Sequence, residues 1–287
     1  MMDYQAIALT DRRVLGILDS GRSSGKTIFF FSGFGVSVHA VHPVLTKSAD
    51  ARVIAVDRPG IGLSSRAAHR TLLDWPEDIR QLADRLGVDR FGLLGWSGGG
   101  PHALACAHQL GERVAATGLF SCAPPFADRQ AITSMPPPVR RLAFIARHAP
   151  ILVQAGFRSH CLRVKRDPDA AVARSADDLC DIDRNIIRDP CFRDSLKAAM
   201  IHACQQGPDG LSDDVLAIAR PWGFELSQLR APVHLWHGES DATIPVEVGR
   251  YLTKAIKGSQ ASFLPAAGHF SCLTHWSEIV QKLVSSM

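Results

Sequence analysis

The chemistry most clearly written into the chain lies at Gly95-Trp96-Ser97-Gly98-Gly99, a serine held between glycines. It directly follows the apolar run Arg90–Leu94 and directly precedes a helical pattern carrying Ala103, Leu104 and Ala105. A bare Gly-x-Ser-x-Gly is a weak pattern, expected by chance in about one chain in ten of this size. Its placement is what informs. On a sharp strand-to-helix turn the serine takes a strained backbone conformation that projects its hydroxyl, and the flanking glycines are small because nearby backbone would strike any Cβ. The following helix aims its free N–H groups and positive dipole end at the same spot, which suits a developing oxyanion. A serine hydroxyl is a poor nucleophile until a base removes its proton, so such a site requires a histidine and a third group to orient it.

Elements able to position these groups alternate along the chain. Tyr4–Ala8 and Arg13–Leu18 read as an opening hairpin, and Thr27–Phe31, Arg52–Val56, Arg90–Leu94 and Val114–Phe120 as central strands bounded by glycine, proline or charge. Leu72–Leu86 places Leu73, Ile79, Leu82 and Leu86 on one side, with Asp78, Arg80, Asp84 and Arg85 mainly on the other, as an amphipathic helix. Ser97–Leu110 is a second helix. After Ala123-Pro124-Pro125 the strand signal stops and helical periodicity takes over, including Val139–Ala149, Ile151–Lys165, Leu179–Ile187 and Phe192–Gln206. Strands resume at Pro232–His237 and Gln260–Leu264, followed by helices Val246–Ile256 and Cys272–Val284. Strands alternating with helices imply a mostly parallel sheet covered on both faces. The helical run is an insertion that divides one α/β domain, with residues 1–124 and 229–287 as the core and 125–228 as a cap.

Composition excludes several other classes. With 46% hydrophobic and 21% charged residues the chain is neither disordered nor of low complexity. The 32 basic and 28 acidic residues nearly balance, so the formal charge of +4 predicts neither a nucleic-acid nor a membrane partner. Asp3, Asp11, Arg12 and Arg13 interrupt the first residues before any signal-peptide hydrophobic region forms, and no run approaches the roughly 18 apolar residues of a membrane span; a cytoplasmic location is the expectation. Seven cysteines without a Cys-x-x-Cys pair argue against a disulfide framework and a zinc cage. His234 and His237, three apart in a strand, point to opposite faces, so no metal pair is expected. Asp57-Arg58-Pro59-Gly60-Ile61-Gly62 lacks the Gly-x-Gly-x-x-Gly spacing of a nucleotide site and reads as a turn in which Asp57 bonds loop amides. No cofactor is implied.

Five signatures together resemble the α/β-hydrolase superfamily, specifically its cap-bearing esterase and lipase-like members. They are Ser32-Gly33-Phe34-Gly35 after the first central strand, Asp57 through Ser64 after the next, the turn at Ser97, His237-Gly238-Glu239-Ser240-Asp241, and Gly268-His269-Phe270. The resemblance implies an α/β-hydrolase fold, with a mostly parallel sheet of about eight strands, helices on both faces and an inserted helical cap. It implies the chain order serine, acid, histidine: Ser97 as nucleophile, Asp241 as acid ahead of Glu239 two residues earlier, and His269 as base ahead of His275 and His237. The oxyanion donors it implies are the backbone N–H groups of Gly98 and Phe34. Where relatives usually have histidine before the loop's first glycine this chain has Ser32, so the loop's internal bonding must differ.

The function that follows is a serine hydrolase acting on a moderately large, mainly apolar ester or lactone. Phe34, Trp96, Phe126, Phe144, Phe157, Trp222 and Phe270 are candidate pocket residues, with Leu152 and Phe224 as further apolar groups of the inserted region. Other chemistries of the same superfamily remain open: macrolactone antibiotic hydrolysis, carbon–carbon hydrolysis, cofactor-free perhydrolysis and cyanohydrin lysis, and also a receptor that merely binds a small molecule. Serine at the turn speaks against the dehalogenase and epoxide hydrolase branches, whose nucleophile is a carboxylate.

Overall fold

The computed structural model describes residues 3–21, 25–45, 47 and 51–287. Eight strands, β1 (Asp3–Ala8), β2 (Val14–Asp19), β3 (Lys26–Phe31), β4 (Ala51–Val56), β5 (Phe91–Trp96), β6 (Val114–Phe120), β7 (Val233–Gly238) and β8 (Gln260–Leu264), form one sheet in the order β1-β2-β4-β3-β5-β6-β7-β8. β2 runs antiparallel to both β1 and β4; every other pairing is parallel. This is the α/β-hydrolase fold the sequence predicts. Parallel strands joined by right-handed crossovers bring all their carboxyl ends to one edge, so the loops after β3, β4, β5, β7 and β8 converge there.

The period-two pleat of β3 divides its aromatic run between two cores. Phe29 and Phe31 face one side, where Phe31 meets Trp75 edge to face at 5.3 Å on helix α1 (Trp75–Arg85), and α2 (Gly99–Gln109) adds Ala103 and Leu104. Ile28 and Phe30 face the other, where Phe30 meets Trp276 at 5.3 Å. Both faces are therefore covered, which is why β3, β5 and β6 read as continuous apolar runs. Helix α1 begins later than its sequence pattern. Leu72–Asp74 is a 3₁₀ turn and the α-helix starts at Trp75, where Pro76 occupies a first-turn position that needs no N–H. Asp78, placed by pattern on its polar side, is buried and receives both terminal nitrogens of Arg13, at 2.9 and 2.6 Å.

Between β6 and β7 the chain is helical: α3 (Pro137–His148), α4 (Pro150–Arg166), α5 (Pro168–Ser175), α6 (Asp181–Arg188), α7 (Pro190–Ala203) and α8 (Asp209–Ala219). Four of these open on proline, and Asp167 and Asp189 cap α5 and α7 by accepting first-turn N–H groups at 2.9 Å. α9 (Val246–Ala255) and α10 (Trp276–Ser285) complete the core. α5 and α8 lie in sequence without a helical assignment of their own. α8 is buried from Gly210 to Val215 and again from Ala217 to Ala219, so it lacks the polar stripe that makes a helix visible as a pattern. Among the described residues no helix is long and apolar enough to cross a membrane.

Candidate active site

Ser97 sits where β5 turns into α2, with φ +55°, a left-handed conformation costly for a residue with a side chain. Its backbone holds the turn: its N–H donates to the Phe120 carbonyl at 2.9 Å, and its own carbonyl accepts from Gly100 and Ala123, each at 3.0 Å. The glycines are required by close approach. A Cβ on Gly95 would lie 2.6 Å from Gly100 Cα, and one on Gly99 would lie 2.0 Å from the Phe31 carbonyl oxygen.

Asp241 and His269, from the loops after β7 and β8, meet at 2.9 Å between Asp241 Oδ2 and His269 Nδ1. The other carboxylate oxygen, Oδ1, accepts the N–H groups of Thr243 at 2.9 Å and Ile244 at 2.8 Å, which fixes the carboxyl plane. Burial opposes charge on both partners, yet each stabilises the other's ionised form. The His269 pKa is raised because the charge and hydrogen bond of Asp241, with help from Asp183, outweigh desolvation. Asp241 is likewise held below the usual carboxylate range by His269, the Ile244 N–H and His237, against the effect of its burial. Glu239 makes no such bond to the ring. His237 instead places Nε2 2.8 Å from the Ile244 carbonyl, and burial lowers its pKa. Nδ1 of His269 being engaged, Nε2 is the nitrogen left for proton transfer. Among the described residues no hydrogen bond joins it to the Ser97 hydroxyl, a contact that in unliganded enzymes is often long and closes only around substrate.

The loop after β3 packs directly on the serine turn. A Cβ on Gly33 would lie 3.3 Å from Ser97 Cβ, and the Phe34 ring covers Gly98 so closely that a Cβ there would be 2.8 Å from it. Among the described residues neither the Phe34 nor the Gly98 N–H donates a hydrogen bond within the protein, so both remain available to an incoming oxygen.

Five buried groups that the sequence does not single out for the site, Arg58, Arg70, His102, Asp183 and Asp214, hold these loops. Arg58 donates to the carbonyls of Ser32 at 2.5 Å and Gly33 at 2.9 Å, and its Nε meets Asp214 of α8 at 2.8 Å. These bonds tie the carbonyls of the loop after β3 to the loop after β4. Arg70 meets the same carboxylate at 2.8 Å. Asp214 lies well below its ordinary pKa because Arg58, Arg70 and His102 overcome the cost of its burial. His102, on α2, is driven down to about 3 because burial, with the two arginines, outweighs the opposing charge of Asp214, and it is neutral at physiological pH. Its Nδ1 lies 3.0 Å from the Gly98 carbonyl, which assigns the proton to Nδ1. The last of these groups is Asp183 of α6. Fully buried, it accepts the N–H of His269 at 2.7 Å and of Phe270 at 2.8 Å. Gly268 makes the approach possible, since a Cβ there would fall 2.4 Å from the carboxylate oxygens. Nothing in the spacing of Asp57-Arg58 or of Asp183 reveals these partners. Asp57, by contrast, bonds the Val38 amide at 2.8 Å as expected of a turn residue, and burial raises its pKa to about 7.

Beside Ser97 lies a cavity of about 170 Å³ whose walls are almost entirely apolar. Phe34, Phe126 and Phe157 line it, together with Met135, Leu142 and Ile244. The other aromatic candidates lie elsewhere. Trp96 is buried beneath the histidine loop, with its indole N–H donating to the His269 carbonyl at 2.9 Å, and Phe270 packs edge to face on it at 5.2 Å. Trp222 stacks with Phe224 in the core, and Phe144, 63% exposed, stacks on His148 at the outer surface. Leu152 is exposed as well.

The fold and this arrangement define a hydrolase-type α/β protein. The sequence pattern of the Alpha/beta hydrolase family matches residues 28–282, and the chain belongs to that family. Similar solved structures include a thermophilic esterase from Thermogutta terrifontis (21% identity, 99% of this chain and 97% of that one, TM-score 0.72). The enol-lactonase from Burkholderia xenovorans LB400 is 20% identical over 98% of this chain and 99% of that one, with TM-score 0.72. A structure described among novel epoxide hydrolases from hot-environment metagenomes is 22% identical over 99% of both chains, with TM-score 0.72. A curated relative, the dihydrolipoyllysine-residue acetyltransferase component of the acetoin cleaving system of Pseudomonas putida, is 35% identical over 115 residues; the match spans 39% of this chain and 30% of that protein.

Proposed function

We propose that this protein is a serine hydrolase that cleaves a carboxylic ester or lactone of a mainly apolar small molecule. Ser97 attacks the carbonyl carbon while His269 Nε2 takes its proton and passes it to the departing alkoxide. Water then attacks the acyl-serine, giving its proton to His269, and the acid leaves as Ser97 is restored. Asp241 holds the imidazole with Nε2 free and stabilises the imidazolium. The N–H groups of Phe34 and Gly98 meet the carbonyl oxygen as it becomes negative, an interaction typically worth about 2.7–4 kcal/mol of barrier per donor.

The observation that carries this reading is the 2.9 Å imidazole–carboxylate pair at the sheet edge that also bears Ser97. A cavity of about 170 Å³ is below the roughly 300–1,000 Å³ of drug-sized sites, which favours a short or slender acyl group over a bulky one. The epoxide hydrolase likeness is one of fold, and the hydroxyl at position 97 suits acyl transfer. The test is Ser97→Ala, with fold checked by thermal melting. Turnover of an activated aryl ester and labelling by a fluorophosphonate probe should both vanish. Undiminished turnover by the variant sinks the assignment; a wild-type protein that neither turns over nor labels supports the receptor reading instead.

A further inference from the structure

From Arg129 to Arg166 the chain contains eight arginines and lysines and no acidic residue across 38 positions, while the rest has 24 basic residues against 28 acidic ones. The near-balanced total therefore conceals a strongly basic segment, which comprises α3 and α4. All eight cations are exposed, and among the described residues none forms an ion pair. The same segment holds five of the seven large hydrophobic side chains that the described residues expose: Leu142, Phe144, Ile151, Leu152 and Leu162.

Apart from Leu142, which lines the cavity beside Ser97, and Arg129, which precedes α3, the two sets share a face of their helices. At about 100° per residue, Ile151, Ala155 and Leu162 fall in one stripe along α4, with Arg158 and Lys165 on one flank and Arg163 and Arg166 on the other. On α3, Phe144 lies between Arg140 and Arg147 on one side and Arg141 on the other. The opposite faces are buried, through Val153 and Val164 on α4 and Ala143 and Ala146 on α3, and Ala143 and Phe157 reach the cavity beside Ser97.

We propose that the outer face of α3 and α4 is a docking surface for an anionic lipid membrane, on which the protein lies without spanning it. An apolar strip bordered by cations matches the boundary between acyl chains and acidic headgroups. A second copy of the chain is a poorer occupant, because a two-fold contact sets this face against itself and opposes two segments that contain no acid. A nucleic acid uses the cations but leaves Ile151 and Leu162 without a partner. The conclusion departs from the membrane-free expectation drawn from net charge, because that sum averages over unlike regions.

Sedimentation with vesicles tests this on the full chain and needs no enzymatic activity. The protein should pellet with equimolar phosphatidylcholine and phosphatidylglycerol, remain in solution with phosphatidylcholine alone, and be released by salt. Removing two cations, as Arg158→Gln with Arg163→Gln, should weaken partition on the order of twentyfold, since each contributes roughly fivefold near such a surface. Ile151→Ser with Leu162→Ser, at exposed positions, should also weaken it. Failure to pellet, equal pelleting with neutral vesicles, or an apolar double variant that binds like the wild type while duplex DNA competes equally would each overturn the proposal.

Discussion

Replacing Asp183 by asparagine tests whether the helices between β6 and β7 take part in organising the proposed base, His269. The carboxylate accepts two backbone N–H groups, from His269 at 2.7 Å and Phe270 at 2.8 Å, inside a site with no solvent access. Asparagine keeps the shape but offers one acceptor, and turns its amide donors toward the second N–H. One charge-assisted bond is lost, worth about 1.5–3 kcal/mol. That loss should lower Tm by roughly 3–5 °C in a chain of 287 residues. The charge has a separate signature. Asp183 is one of the groups that raise the His269 pKa, so removing its charge lowers that pKa. A base must be unprotonated to act, and activity fails as pH falls through its pKa. The acid limb of kcat/KM should therefore move to lower pH in Asp183→Asn while the plateau drops. An acid limb that stays in place refutes the electrostatic part of this argument, and an unchanged Tm refutes the structural part.

Arg58→Met should lower kcat of ester hydrolysis by freeing the Ser32 and Gly33 carbonyls. It should also destabilise the fold by about 3–5 kcal/mol in a denaturant titration, because a buried carboxylate loses a partner; wild-type kcat would contradict the role given to it. His102, held at about 3 in the folded chain and near 6.5 when unfolded, stays neutral where the unfolded chain takes up a proton. It should make stability fall as pH drops from 6.5 toward 3, and Tm measured against pH should flatten over that window in His102→Gln; an equally steep curve removes the assignment. Phe126→Ala enlarges the cavity and should shift the best acyl length in a series of aryl esters upward, whereas an unaltered profile places the acyl group elsewhere. Ser97→Ala, described above, supplies the blank for each of these rates.

The features legible in sequence were those written locally. The strands show because apolar runs of five to seven residues end in glycine, proline or charge, and the turn at Ser97 because strand, glycines and helix adjoin. What stayed hidden was long-range pairing. Arg58 and Asp214 are 156 positions apart, and Asp183 and His269 are separated by 86. No period or motif links such residues, and both acids lie on helices of the inserted region: α8 is buried nearly all round, and Asp183 occupies a first turn where acids are ordinary. Phe144 illustrates the opposite error. An aromatic on an inserted helix is as well suited to a cavity as to a surface, and only the rotation of α3 places it outward.

Asp183 and Asp214 together show that the inserted helices do more than cover the site. One carboxylate holds the loop of the proposed base, the other the arginine that holds the loop of the proposed oxyanion donor Phe34, so each half of the candidate machinery has one support from the helices between β6 and β7. Stability alone does not require buried ions here, because well-packed apolar residues of similar volume often serve as well or better. Geometry does require something of the kind. A carboxylate against two amide N–H groups, or a guanidinium against two carbonyls, fixes direction as well as distance, whereas an apolar contact leaves both loops free to rotate. Catalysis by preorganised dipoles depends on that direction, which gives a physical reason for the chain to carry charges where they are costly to bury.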